Sequence, residues 1–181
     1  MRCIAEDLEE RGIEGAVAEL GVYKGEFSQY INQAFPKSKL YLFDTFDGFD
    51  ERDVKIDNEL GIRGDNIVKN GLKFNDIDYV LSRMPYKDNC EIRKGFFPET
   101  AKGIKDSFIF VNIDVDLYQP IYEGLKFFYP LMKRGGCIFV HDYAAKQWGG
   151  ARRAVLEFSE EMGVAYLPLA DYGGSVVFVK S

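Results

Sequence analysis

The sequence predicts an α/β fold built on a mostly parallel sheet, and three observations carry that expectation. Short apolar runs alternate with stretches of helical period, as strands joined by crossover helices do. The run 108–114 (F-I-F-V-N-I-D) is apolar almost to its end, as a central parallel strand buried on both faces must be. The chain has 181 residues, 46% of them hydrophobic and 15% aromatic, enough for one sizeable core, so a single domain over 1–181 is expected.

Each element has its own warrant. Residues 2–11 read as a short amphipathic helix in an N-terminal segment ending near residue 14. Gly15 to Leu20 reads as the first strand, Gly21 to Gly25 as a tight turn, and 26–34 as the helix that turn feeds. Pro36 closes that helix, and Lys39 to Asp44 (K-L-Y-L-F-D) is the second strand. Residues 45–75 are polar, charged and glycine-bearing, and include the run Asp50-Glu51-Arg52-Asp53. So long an interruption is expected to be a lid or binding loop, with its middle, 64–70, helical. Asp76 to Met84 is a helix with Asp76 at its start, and Glu91 to Lys94 is the third strand. After the central strand, Tyr122 to Met132 is helical and stops before Gly135-Gly136, Cys137 to Val140 is a strand, and Ala151 to Met162 is a helix. Val164 to Leu169 and Ser175 to Val179 flank Asp171-Tyr172-Gly173-Gly174, a hairpin signal.

Composition excludes several classes. A net charge of −6 gives no electrostatic case for nucleic acid. Cys3, Cys90 and Cys137 show no metal spacing, and buried reduced thiols are expected at the latter two. No apolar run is long enough to span a bilayer, and the N-terminus lacks the order of a signal peptide, so a cytoplasmic protein is expected.

The candidate chemistry lies at the carboxyl ends of the strands, where open α/β sheets bind ligands. Glu19, Gly21 and Gly25 form E-x-G-x-x-x-G. A dinucleotide fold would place a glycine where Glu19 stands, and an anion there repels a pyrophosphate. A ligand carrying an ammonium and no phosphate fits better, and S-adenosylmethionine is one; a strand–turn–helix with a solvated Glu is the plainer alternative. Asp44, ending the second strand, stands where such folds hold ribose hydroxyls, or it initiates the turn before Thr45. Asp114 ends the central strand and His141-Asp142 the next, and the three are candidate ligands of a divalent metal. Carboxylates suit Mg²⁺, while the chain's single histidine tilts the set toward Mn²⁺, Fe²⁺ or Zn²⁺, or serves instead as general base or hydrogen-bond donor. Asp116 serves the metal or caps the following helix.

The pieces V-A-E-L-G-V-Y-K-G (17–25), L-Y-L-F-D-T-F-D-G-F (40–49), I-D-V-D-L-Y (113–118), R-G-G-C-I-F-V-H-D-Y (134–143) and G-A-R-R-A-V (150–155) together resemble the macrocin-type S-adenosylmethionine-dependent O-methyltransferases, which act on sugars of antibiotics and related glycosides. The resemblance implies a class I methyltransferase (Rossmann-like) fold of three layers, with a seven-stranded, mostly parallel sheet whose last strand is antiparallel. It implies cofactor contacts from Glu19, Gly21, Tyr23, Gly25, Ser28, Asp44, Thr45, Phe46, Gly95, Phe96 and Asp114. It also implies a divalent metal, Mg²⁺ or Mn²⁺, at Asp114, His141 and Asp142, with Asp114 and His141 as catalytic candidates. His141 departs from the family's paired acids. The segment before the first strand is short for the family, as expected of a truncated chain, of a minimal member, or of one whose acceptor pocket is built mainly by 45–75. The expected partner is a small hydroxyl acceptor containing a sugar, and a homodimer is the candidate assembly. Tyr143, Trp148 and Arg152 are candidates for the acceptor side. A nucleotide-dependent oxidoreductase and a cofactor-binding module without catalysis are the rival readings.

Overall fold

A computed structural model describes residues 1–62, 72–145 and 149–181. The described strands are β1 (Ala16–Leu20), β2 (Leu40–Asp44), β3 (Cys90–Lys94), β4 (Phe108–Ile113), β5 (Met132–Val140), β6 (Leu167–Pro168) and β7 (Val176–Val179). They form one sheet in the order β3-β2-β1-β4-β5-β7-β6. The pairings from β3 across to β5 are parallel, and β7 runs antiparallel to both its neighbours. Strand order reverses between β1 and β4, which opens a crevice at their carboxyl ends.

Two helical layers cover the sheet. The helices are α1 (Arg2–Glu10), α2 (Ser28–Ala34), α3 (Glu51–Glu59), α4 (Ile77–Ser82), α5 (Tyr118–Leu131) and α6 (Gly149–Met162). Side chains alternate across a strand, so successive residues feed opposite layers. Val17, Leu40, Leu42 and Phe110 meet Leu8, Ile31 and Val80 of α1, α2 and α4. Ala18, Phe43, Val111 and Ile138 meet Leu125, Phe128, Val155 and Phe158 of α5 and α6. Phe128 is the hub of the second layer. Its ring contacts Phe43, Phe97, Phe108 and Phe127, tying α5 to β2, β4 and the loop after β3. Truncating so buried a ring costs about 3–5 kcal/mol.

The expected elements are present, but the strand expected over 164–169 is reduced to Leu167–Pro168, and three further differences stand out. First, the charged run at Asp50 starts a helix, α3: the Asp50 carboxylate accepts from Arg52 N–H, and Glu51 and Asp53 sit in the positive first turn. Second, α5 begins at Tyr118 rather than Tyr122, because Pro120 falls in the first turn, where no intrahelical N–H is needed. Third, β5 extends back to Met132 through Gly135 and Gly136, whose backbone pairs with Lys180. Asp76 caps α4 as expected, accepting from Tyr79 N–H at 2.8 Å. The helix expected at 64–70 lies outside the described residues, as does Trp148.

Candidate active site

The carboxyl ends of β1, β2, β3 and β4 wall a cleft of about 650 Å³. Among the described residues its lining carries seven carboxylates (Glu19, Glu26, Asp44, Asp50, Asp53, Asp114, Asp116) against one cation, Lys24, a balance that favours a cationic ligand over a phosphate. The backbone around it is strained. Among the described residues, the non-glycine positions with positive φ are Tyr23 (50°), Phe46 (53°), Asp116 (60°) and Asp142 (59°). Each follows a different strand, β1, β2, β4 or β5, and each costs roughly 1–2 kcal/mol that the surrounding packing must hold.

Asp44 is the clamp of this edge. Its Oδ2 accepts from the N–H groups of Val22 and Tyr23 at 2.7 and 2.8 Å, and its Oδ1 from Phe46 N–H at 2.6 Å. An ionised carboxylate offers about four acceptor sites, so one remains for a ligand hydroxyl. Gly21 is required for a reason other than ligand approach. Its φ is +95°, and a Cβ there would sit 1.9 Å from the carbonyl oxygen of Asp114 on the neighbouring strand. Gly25 (φ +71°) lies against Met84 and Val80 in the same way.

Glu19 lies on the cleft floor and is 1% exposed. Ser28 Oγ donates to its Oε2 and Asn112 Nδ2 to its Oε1 at 3.1 Å. Burial pushes its pKa up to about 8, helped by the charges of Asp114 and Asp44 and opposed by the two hydrogen bonds. Without a cationic ligand the carboxyl is therefore largely protonated at neutral pH. Ser28 is fully buried and acts on the site through Glu19.

The second acidic group lies at the ends of β4 and β5. Asp114, Asp116 and Asp142 each offer a carboxylate oxygen, all within 4.8 Å of one another. Burial raises the pKa of Asp114, His141 opposing and Asp142 adding to the shift. Asp116 is pushed up to about 8 by burial, by the charge of Asp114 and by a hydrogen bond with Asp142. Three oxygen donors of this kind fit a hard divalent cation. Among the described residues Asp116, and not His141, completes the converging set. All four residues lie past the strand ends, and Asp116 (φ 60°) and Asp142 (φ 59°) take left-handed backbone conformations, so strand alternation does not set which side chains converge. The His141 ring meets Phe27 edge-on at 6.1 Å and lies beside Gly173 of the hairpin.

Of the residues expected from sequence, Glu19, Gly21, Tyr23, Asp44, Thr45, Gly95, Phe96 and Asp114 line the cleft. Gly25, Ser28, Phe46, His141 and Asp142 are outside its lining. Phe46 is core, contributing only its N–H to Asp44. Tyr143 is buried, with its hydroxyl 2.8 Å from that of Tyr166 and the Arg152 guanidinium over its ring. The cleft also takes in Phe27, Tyr30, Asp53, Leu117 and Pro120, which sequence reasoning did not assign.

Solved structures share this architecture. The O-methyltransferase NovP superposes with a TM-score of 0.79 at 17% identity, covering 99% of this chain and 77% of its own. CalS11, a calicheamicin methyltransferase, gives 0.71 at 15% identity, covering 97% and 76%. An O-methyltransferase from Bacillus cereus in complex with SAH gives 0.64 at 13% identity, covering 99% and 80%. By sequence, the chain matches no curated protein closely enough to count as a relative. Sheet order and these likenesses make the domain a class I methyltransferase fold. Residues 1–180 match the macrocin-O-methyltransferase (TylF) model, and the chain belongs to that family; it is an O-methyltransferase.

Proposed function

We propose that this O-methyltransferase uses S-adenosylmethionine to methylate a hydroxyl of a small sugar-containing acceptor, with a divalent cation at Asp114, Asp116 and Asp142. The observation that carries the reading is the cleft itself: an anionic crevice with a ribose-competent acid, Asp44, toward one end and an acidic triad at the other. The neighbours' chemistry supports the acceptor class, since CalS11 is also described as a TDP-rhamnose 3'-O-methyltransferase.

The cofactor supplies an electrophilic methyl group on a sulfonium, so the protein must align it and take a proton. Asp44 holds the ribose through its remaining acceptor site and fixes the turn after β1. Glu19, buried beneath that turn, ionises when a positive charge arrives above it. Asp114, Asp116 and Asp142 would hold a divalent cation, which lowers the pKa of a bound hydroxyl. As the oxygen–methyl bond forms and the sulfur–methyl bond breaks, the hydroxyl proton passes to Asp114. His141 borders Asp114 and favours its ionised form.

Calorimetric titration of the purified protein with S-adenosylhomocysteine and NAD tests the cofactor. Binding of the former and not the latter is expected; tighter binding of NAD would falsify the assignment. Incubation with S-adenosylmethionine and a panel of nucleotide-linked and free sugars then tests the acceptor by the added mass of one methyl group. Methylation confined to catechol-type phenols in that assay would remove the sugar from the reading.

A further inference from the structure

The cleft contains one buried carboxylate that methyl transfer as derived above does not use. Asp53, in the first turn of α3, lines the cleft and is 6% exposed. Its Oδ1 is buried without a hydrogen-bond partner among the described residues. An acceptor in that state costs about 1–3 kcal/mol, more if charged. Its surroundings do not relieve it. Burial pushes its pKa up to about 7, and the charges of Asp50, Asp57 and Glu123 act the same way. Among the described residues Arg52 opposes them, and that guanidinium is committed elsewhere: to Asp50 at 2.9 Å, to Glu99 at 3.4 Å, and to the face of Phe96, 3.4 Å from the ring centroid.

The Arg52–Phe96 stack also locates Asp53. It pins the first turn of α3 to the loop after β3. Along the cleft the strand ends run Phe96 at β3, Asp44 at β2, Gly21 at β1 and Asp114 at β4. A nucleoside with its ribose on Asp44 and its sulfur toward Asp114 must carry its base toward β3. Phe96, Phe97, Leu117 and Pro120 supply apolar lining suited to a planar ring. The acceptor hydroxyl belongs to the opposite end, beside β4 and β5, which leaves the base as the donor nearest α3.

We propose that Asp53 accepts a hydrogen bond from the exocyclic amino group of the cofactor's purine and so selects adenine over a 6-oxo purine. The inference rests on the S-adenosylmethionine reading. Adenine carries an N–H donor at C6, whereas a 6-oxo purine carries an oxygen there. An oxygen facing an acceptor with no water between them is rejected more strongly than a missing contact would be. The amino group thus satisfies the oxygen that the empty cleft leaves orphaned.

The test is titration, above pH 8 where the Asp53 carboxyl is ionised and can only accept, of S-adenosylhomocysteine and S-inosylhomocysteine into the wild-type protein, Asp53→Ala and Asp53→Asn. The wild type should prefer the adenosyl compound by about tenfold or more. Asp53→Ala should lose about tenfold in adenosyl affinity and most of the discrimination. Asp53→Asn, whose amide can donate to O6, should recover inosyl binding and narrow or invert the preference. A variant that only perturbed α3 would weaken both ligands alike and leave the ratio standing, which overturns the proposal. Melting of the unliganded variants at or above the wild-type temperature shows that they fold, since each removes an unpaired buried acid. Unchanged adenosyl affinity with a raised KM for the sugar would assign Asp53 to the acceptor and also overturn it. Binding of neither compound by the wild type overturns the cofactor reading, and this one with it.

Discussion

Asp44 and Glu19 show how two acids twenty-five residues apart in chain position divide one task. Asp44 is partly spent on three backbone N–H groups, so it holds loops in addition to the ligand role proposed for it. Asp44→Ala should therefore cost the worth of one charged hydrogen bond in S-adenosylhomocysteine affinity, about 1.5–3 kcal/mol, and lower the melting temperature as well. Calorimetry and thermal melts on the same variant separate the two losses, and an unchanged melting temperature would remove the clamp. Glu19 yields a pH prediction. Its ordinary pKa of 4.5 rises to about 8 in the folded protein, mainly through burial. Between those values the native state binds a proton that the unfolded state releases, so the Glu19 contribution to stability falls as pH rises across that window and levels off above it. Glu19→Gln, neutral throughout, should flatten the decline of melting temperature between about pH 5 and 8. A slope identical to wild type would mean that Glu19 is ionised already. The motif around Glu19 was legible in the sequence, but its physics was not. Sequence suggests that Gly21 and Gly25 admit a ligand; the structure shows that Gly21 first admits the Asp114 carbonyl and Gly25 the side chains of Val80 and Met84. Both requirements come from residues distant in the chain, and no local pattern encodes them.

At the scale of elements, α3 separates what could be read from what could not. Strand ends were visible because apolar runs stop at acids, which is how Asp44, Asp114 and Asp142 were found. The helix at Glu51–Glu59 was not, because its apolar period is weak and its buried face carries Asp53 and Asp57 in place of hydrophobes. The available signal was the cap: Asp50 followed by acids in the first turn. Asp57 then takes over a second job, accepting from Tyr118 N–H at 3.1 Å at the start of α5, so α3 is bound to the site's own helix. The expectation of a cover over the cleft now attaches to this helix. Asp50→Ala should remove about 1 kcal/mol of capping and increase amide hydrogen exchange across 51–59 in the unliganded protein. Saturating S-adenosylhomocysteine should slow exchange in the same amides of the wild type. Equal protection with and without ligand would make α3 a fixed wall and not a cover.

The whole molecule collects its acids at one edge of the sheet. A chain of net charge −6 places seven carboxylates of the described residues in the cleft lining, and four of them, Glu19, Asp53, Asp114 and Asp116, have pKa values raised chiefly by burial. Asp116, also in that lining, is pushed up to about 8, and it stands with Asp114 and Asp142 in the converging triad. With their pKa values raised to about 8, Glu19 and Asp116 hold protons near neutrality, and a cation bound beside them would displace those protons. The charge balance therefore predicts that Mg²⁺ or Mn²⁺ affinity increases with pH up to about 8, because only the ionised carboxylates ligate. Calorimetry in two buffers of different ionisation enthalpy should show proton release near pH 7. Methyl transfer should stop with a chelator and return with added Mg²⁺ or Mn²⁺. Asp116→Asn should weaken the metal, whereas His141→Ala should leave metal affinity nearly intact, since His141 lies outside the converging set. Asp114→Asn should abolish turnover more completely than either, because Asp114 is both ligand and proton acceptor in the proposed reaction. Binding of S-adenosylhomocysteine should survive in all three variants, as its contacts come from β1, β2 and β3. Full activity in chelator would remove the metal and leave the triad as a proton store alone. A large loss of metal affinity in His141→Ala would restore the histidine to the ligand set and displace Asp116 from it.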